Sequence, residues 1–323
     1  MLYPLIFEPI FKERVWGGRN LERLYGKPLP PNVPIGESWE ITDRPEGVSV
    51  IANGPLKGRD LRWLMENHQE ELLGSAASHD GRFPLLVKIL DAQQKLSVQV
   101  HPPASVAAEL GGEPKSEMWY VTDAAPDADI FVGLKSGVTR DRFEQKIGDG
   151  SVADCLHRIE TKPGDAIYLP SGRLHAIGAG NVIFEIQQNS DTTYRVFDWN
   201  RVGLDGQPRE LHLEQAMLSI DFEDVEPELA ADASSSDAST SALTKNEHFI
   251  VLRQTIGQSG SGLDYLGGTG VGVIGVEEGL LHVICPEGNV SLGPGRFAMI
   301  PSSVDLVKLR ADRPTSFLTA VIG

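Results

Sequence analysis

Four side chains with metal-binding chemistry occur at spacings that a folded chain can bring together. In KLSVQVHPP (95–103), the period-two alternation of an extended strand puts Ser97, Gln99 and His101 on one face and Leu96, Val98 and Val100 on the other. In KSEMWYV (115–121), the same alternation groups Lys115, Glu117 and Trp119, so a carboxylate stands two residues from an ammonium. The run GDAIYLPSGRLHAIG (164–178) delivers His175 at the end of a turn tightened by Pro170 and Gly172. Gln99, His101, Glu117 and His175 make one nitrogen and oxygen donor set without a thiolate, which suits Zn²⁺, Mn²⁺, Fe²⁺ or Ni²⁺. The other histidines, His68, His79, His157, His212, His248 and His282, lack paired donors and are assigned no role.

The elements that must hold these donors read as short strands. LLVKIL (85–90), KLSVQVH (95–101), EMWYVT (117–122), ADIFVGL (128–134), DAIYLP (165–170) and NVIFEI (181–186) are rich in β-branched and aromatic residues and are bounded by Gly, Pro or Asp. Helical signals are few. Residues 60–73 carry an apolar stripe behind a capping Asp60, and Thr139 and Ser151 open two short segments, TRDRFEQKI and SVADCL. An internal echo ties the halves together: PGDAIYLPSGRLH (163–175) and PGRFAMIPSSVDL (294–306) share Pro-Gly, five residues, then Pro. Two copies of one β-unit are expected, with a metal ligand in the first alone, since Leu306 stands where the first copy has His175.

Composition bounds the partners. The 323 residues suffice for about two domains, and the 34 glycines and 21 prolines favour many short strands over long helices. The 29 basic against 45 acidic residues give a net charge of −16 with no basic block, so no nucleic-acid partner is expected. A phosphorylated small molecule would need a local cationic cluster set against this field. Lys88, inside the otherwise apolar LLVKIL, must meet a ligand or a carboxylate, because a buried ammonium is costly alone. In SDTTYRVF, alternation groups Asp191, Thr193 and Arg195, and the Arg195 fork suits sugar oxygens or phosphate, a surface salt bridge being the alternative. Arg173 and Arg201 are lesser candidates. Trp16-Gly17-Gly18 and Ser38-Trp39-Glu40 could shape a sugar pocket or simply pack in the core.

Cys155 and Cys285 lie far apart without CxxC spacing, which favours a reducing cytoplasm, and the N-terminal apolar run is too short and interrupted for a membrane span. Residues 221–246, with seven acids before Lys245 and a Ser/Ala-rich middle, read as a solvated linker between residues 1–220 and 247–323.

Gly164, Pro170, Gly172 and His175 resemble the second cupin motif, and Gln99-Val-His101 with Glu117 resembles a variant of the first. More specifically, FPLLVKIL, LSVQVHPP, EPKSEMWY, LPSGRLHAIG and DTTYRVFDWNR, in that order over residues 83–201, are similar to type I mannose-6-phosphate isomerases of the short bacterial form. The resemblance implies an all-β, two-unit cupin (jelly-roll β-sandwich) with a few added helices, the C-terminal unit being metal-free; because about 80 residues are short for a whole barrel, N-terminal strands are expected to complete that unit. It implies that Gln99, His101, Glu117 and His175 hold one catalytic Zn²⁺ per chain, and that Lys88, Lys115, Asp191 and Arg195 line the substrate cavity. The expected reaction interconverts mannose 6-phosphate and fructose 6-phosphate in a cytoplasmic monomer or homodimer, with no organic cofactor and no membrane.

That chemistry moves a proton between C1 and C2 through an enediolate. Lys115 is the first candidate to carry the proton or stabilise the charge, with Asp191 in reserve and Arg195 available to the developing anion. Three alternatives stay open: a cupin oxygenase using similar ligands around Fe²⁺, a non-catalytic sugar-binding cupin, and an isomerase of another sugar or sugar phosphate.

Overall fold

The apolar runs become strands, and a computed structural model describes residues 1–76, 78, 80–230, 240–257, 262–266 and 270–322. The strand Leu85–Ala92 is buried along its whole length, and its alternation explains why. Leu85, Val87 and Ile89 enter one core with Met118, Tyr120, Phe184 and Ile186, while Leu90 enters a second core with Trp119, Ile183, Val132 and Ile177. A continuous apolar run therefore serves two faces of one central sheet.

That sheet has six strands in the order Ile10–Gly18, Ile35–Ile41, Leu85–Ala92, Asn181–Gln188, Glu117–Ala124 and Ala166–Leu169. Facing it is a five-stranded sheet ordered Tyr194–Phe197, Val98–Val100, His175–Ile177, Asp129–Leu134 and Leu156–Glu160. The outer face of this second sheet is covered by Arg140–Gly148 and Leu213–Ser219, whose Phe143 and Ala216 join Val98, Val100 and Leu174 in a third core.

The C-terminal half repeats the plan. Thr240–Lys245, Phe249–Ile256, Thr315–Ile322, Gly272–Glu278 and Phe297–Ile300 form one sheet, and Gly262–Leu266, Leu306–Ala311, Leu281–Cys285 and Gly288–Leu292 form the other. Their facing side chains, among them Ile274, Val283, Leu309 and Phe317, make a separate core. The sandwiches are fused, because Phe249, Val251, Val273 and Leu318 pack into the same core as Val87 and Phe184. The architecture is all-β with few helices, a pair of β-sandwiches as expected of a two-unit cupin.

The internal echo has a structural counterpart. Ala166–Leu169 and Phe297–Ile300 both lie at the edge of their sheets, and His175 and Leu306 each open the strand that follows in the facing sheet. The N-terminal segment extends the C-terminal sheet, as Leu5 and Met299 exchange two backbone hydrogen bonds (2.9 and 2.8 Å). Of the acidic segment 221–246, residues 231–239 lie outside the described residues, as does His79. Its N-terminal part packs on the N-terminal half, with Ala230 N donating to Ala166 O (2.8 Å), and its last residues form the strand Thr240–Lys245.

Two local expectations need correction. Ser151 opens a single 3-10 turn, Val152–Cys155, and its side chain caps nothing, because its hydroxyl is engaged by Asp149 and Lys146 instead. The strand expected over 95–101 is shortened to Val98–Val100: Leu96 N still donates to Ile177 O (2.8 Å), and at the far end Pro102 and Pro103 have no N–H for the ladder. Elsewhere Asp60 Oδ1 accepts from Trp63 N (2.7 Å) and Thr139 Oγ1 from Arg142 N (3.3 Å), as capping residues should. Among the described residues, no helix is long and apolar enough to cross a membrane.

Candidate metal centre and substrate cavity

The facing five-stranded sheet aligns three of the named residues in one cross-strand row. Gln99 pairs in register with His175 on one side and with Arg195 on the other. Direct partners across antiparallel strands project to the same face, so all three point toward the six-stranded sheet. His101, two residues after Gln99, shares that face. The six-stranded sheet answers with its own row, Trp39, Lys88, Glu185 and Trp119, and with Glu117 at the start of its strand.

Each donor is fixed by its surroundings. His175 follows a turn in which Gly172 has φ +93°, a left-handed conformation that glycine adopts without strain, and Gly172 N donates to His101 O (2.8 Å). Glu117 begins a strand pinned by Ser116, whose N donates to Gln188 Oε1 (2.8 Å) and whose Oγ accepts from Ser171 N (3.1 Å). His101 Nδ1 donates to Thr192 O (2.8 Å), and His175 Nδ1 donates to Arg173 O (2.9 Å). Those bonds set both tautomers and leave the Nε2 lone pairs facing inward, as metal-ligating imidazoles require.

The inward atoms converge. His101 Nε2 lies 3.5 Å from Glu117 Oε2, and His175 Nε2 lies 3.5 Å from Glu117 Oε1. The ligand atoms of His101, Glu117 and His175 all fall within 4.8 Å of one another, and all three residues are buried. Among the described residues, His101 Nε2 and Glu117 Oε1 are buried without a hydrogen-bond partner, and Glu117 Oε2 meets only the Lys115 ammonium (2.7 Å), an arrangement that a metal cation completes and that is otherwise costly. Gln99 completes the ring, its Nε2 3.4 Å from His175 Nε2 while its Oε1 accepts from Ser97 Oγ (3.1 Å). A half-turn of that amide exchanges two nearly isosteric groups and presents the oxygen as a donor.

The electrostatics suit a cation. Burial holds His175 neutral down to about 3, opposed by the Glu117 charge, and burial likewise depresses His101, helped by the Lys115 ammonium. Burial alone would raise Glu117, yet Lys115, with its Nζ at 2.7 Å, and then His101 hold it well below the usual carboxylate range. Two neutral imidazoles and one carboxylate are the protonation states that a divalent ion needs.

A cavity of about 530 Å³ opens beside this cluster, lined by Gln99, Lys115, Lys88, Asp191 and Arg195 together with Arg14, Trp16, Glu37, Glu185 and Arg209. Lys88, expected to meet a ligand or a carboxylate, lies near three carboxylates: Glu185 at 3.5 Å, Asp191 at 3.7 Å and Glu37 at 3.9 Å. Burial opposes its charge, but these neighbours more than offset the cost and raise it above the ordinary lysine range. Arg195 forms no salt bridge among the described residues, and its buried Nε has no partner. Arg173 and Arg201 do not line the cavity: Arg173 forks onto Asp224 (2.8 and 2.7 Å) and Arg201 onto Asp198 (3.0 and 2.7 Å). Trp39 is buried, its Nε1 donating to Glu37 Oε2 (2.6 Å).

Sequence reasoning left out Glu37, Glu185, Arg14 and Arg209. Glu185 in NVIFEI had the same signal as Lys88, a charge inside an apolar strand. Glu37 sits one alternation step from Trp39. Arg209 lies in a connection and carries no periodic signal at all.

Fold and site together define a double cupin whose N-terminal sandwich carries a buried His-Glu-His cluster able to hold a metal ion. Residues 5–129 match the model of the phosphomannose isomerase type I catalytic domain. Mannose-6-phosphate isomerase ManA of Bacillus subtilis is 44% identical over 223 residues, 68% of each chain. A mannose-6-phosphate isomerase of Streptococcus mutans is 43% identical over 218 residues, 67% of each chain. The crystal structure of the mannose 6-phosphate isomerase from Bacillus subtilis superposes with a TM-score of 0.88 at 31% identity, covering 99% of both chains. The Salmonella typhimurium enzyme in its apo form shares the fold, with a TM-score of 0.76 at 17% identity over 100% of both chains. The chain belongs to the type I phosphomannose isomerase family.

Proposed function

We propose that the protein is a metal-dependent aldose-ketose isomerase that interconverts mannose 6-phosphate and fructose 6-phosphate. The observation that carries this reading is the convergence of the buried donor set on the wall of a cavity that also holds Lys88, Lys115 and Arg195. Gln99, His101, Glu117 and His175 would hold the ion, and Zn²⁺, one per chain, is the proposed occupant because these donor types serve zinc in four-coordinate sites. When bound, a divalent cation supplies Lewis-acid polarisation of substrate oxygens.

The chain's own residues then bind, orient and move protons. In the open-chain aldose the C2 proton must leave and arrive at C1, while a hydroxyl proton passes from O2 to O1, with negative charge spread over both oxygens in between. Lys115 lines the cavity, is 4% exposed and stands beside a ligand carboxylate, so it is placed to carry a proton or hold the developing charge. Asp191, more exposed and close to Lys88, is the alternative carrier. Arg195, which forms no ion pair among the described residues and whose buried Nε has no partner, brings its guanidinium fork to the anionic part of the sugar phosphate. A cytoplasmic location fits the free, buried Cys155 and Cys285.

The test is to incubate the zinc-loaded protein with mannose 6-phosphate, free mannose and other hexose phosphates, with and without chelator. Chelator-sensitive formation of fructose 6-phosphate without oxygen uptake supports the reading. Turnover that persists after metal removal, or that consumes oxygen, sinks it.

A further inference from the structure

The cavity's cations are unequally committed, and the imbalance locates its anion-binding end. Lys88 is already shared among three carboxylates, and Lys115 is ion-paired with Glu117 at 2.7 Å. Arg14 donates to Glu37 (2.7 Å). Among the described residues Arg195 forms no ion pair and its buried Nε has no partner, while Arg209 bonds to Asp198 through Nε (2.7 Å) and Nη2 (2.6 Å) and makes no bond through Nη1. The two guanidiniums are close enough that Arg209, after burial, is the next cause depressing Arg195. Like charges held together in a cavity raise its affinity for an anion.

The connection that supplies Arg209 is anchored rather than loose. Trp199 Nε1 donates to Leu96 O (2.6 Å), and Arg201 bonds to Lys95 O, so its base is tied to the backbone just before the strand that carries Gln99. Gly203 N donates to Gln207 O (2.7 Å), closing the tip, and Asp198 is 6% exposed. Asp205, the remaining acid of this connection on the cavity wall, is turned to its own backbone, accepting from Gln207 N (3.0 Å). A fork fixed before the ligand arrives loses little freedom on binding.

We propose that Arg209, oriented by Asp198, is a specificity-determining residue that grips the substrate's phosphate beside Arg195 and so sets the preference for a phosphorylated over a free sugar. The proposal rests on the isomerase reading for its substrate, but not for its anion. Asp198 is a positioning residue: its carboxylate holds two N–H groups of Arg209, a residue that lines the cavity.

Calorimetric binding of inorganic phosphate to the zinc-loaded protein, alongside steady-state kinetics with mannose 6-phosphate, tests it. Arg209→Met should raise both the phosphate Kd and KM by about 10- to 100-fold, the loss expected for charge-assisted hydrogen bonds, while kcat changes by less than about 3-fold. Arg209→Lys, which keeps the charge without the fork, should fall between, and exposed Arg142→Met should change none of these values. Asp198→Asn should weaken phosphate binding, and that effect should vanish in the Arg209→Met background. Wild-type phosphate affinity in Arg209→Met, or a fall in kcat at constant KM, overturns the proposal. Should Arg209→Met fail to fold in a thermal melt, Arg209→Lys and Asp198→Asn decide by the same criteria. If the wild type binds phosphate through Arg209 yet isomerises nothing, the isomerase reading falls and the anion site stands.

Discussion

Lys88 and Glu185 face each other in register across Leu85–Ala92 and Asn181–Gln188, Nζ 3.5 Å from Oε1, at the centre of the sheet that floors the cavity. The pair is asymmetric. Burial, and next the charge of Glu117, raises Glu185, whereas the burial cost of Lys88 is outweighed by Glu37 and then Glu185. The same ammonium, followed by Arg14, overrides burial to hold Glu37 at about 2. The lysine therefore keeps Glu37 ionised but offsets only part of the cost of burying Glu185.

Replacing Lys88 with Met should accordingly leave buried carboxylates uncompensated. Removing one partner of a buried ion pair costs about 3–5 kcal/mol, so the urea midpoint should fall sharply. The C=O stretch of a protonated carboxylic acid should strengthen in the infrared spectrum at neutral pH as Glu185 takes up a proton. A variant as stable as wild type, with no such band, would show that the network is solvated.

Lys115→Met should lower kcat by about 10²-fold or more if Lys115 moves the proton, with the bound metal retained. Metal content by emission spectroscopy is the necessary control, because the Lys115 ammonium lies 2.7 Å from a proposed ligand oxygen. Near-normal turnover with metal intact assigns the role to Asp191.

Glu117→Gln and His175→Asn should each reduce bound zinc from one equivalent toward none and abolish turnover. In the metal-free state Glu117→Gln should also lower the urea midpoint, because it leaves the buried Lys115 ammonium, 2.7 Å from Glu117 Oε2, without its counter-charge. Full zinc occupancy in Glu117→Gln would remove the carboxylate from the ligand set.

Without metal, stability should decline on acidification below neutrality. Burial holds folded His175 at about 3, whereas an unfolded imidazole titrates near ~6.5. Between those values the unfolded chain binds the extra proton, so stability is complete above about 6.5 and is lost as pH falls toward about 3. The slope is at most about 1.4 kcal/mol per pH unit for that one group. His101 is shifted in the same direction and adds to the loss. Urea midpoints of the chelated protein that stay level from pH 7 to pH 5 would contradict the buried, neutral imidazoles.

Legibility in the sequence followed the range of the interactions. Gln99, His101, Glu117 and His175 stood out because alternation along a strand and a turn built on Pro170 and Gly172 are local properties, readable within about ten residues. Lys88 stood out because a charge in an apolar run has no local explanation. Arg173 and Arg201 misled for the converse reason: their partners Asp224 and Asp198 could not be told from any other acid in the chain. Ser151 carried an acceptable capping pattern, but its hydroxyl bonds to Asp149 and Lys146 rather than to the backbone it precedes.

The amino-acid sequence by itself determined the β-class of the fold, the duplicated unit and the grouping of His101, Glu117 and His175, since periodicity and turn chemistry are written residue by residue. Only the tertiary structure decided that Arg195, Gln99 and His175 share a row, and that Glu37, Lys88 and Glu185 form one charge network. It also decided that Arg209 reaches the same cavity from a connection with no pattern of its own. Strand register and the facing of one sheet on another depend on contacts between segments up to a hundred residues or more apart, and burial in that shared interior is what gives these charges their chemistry.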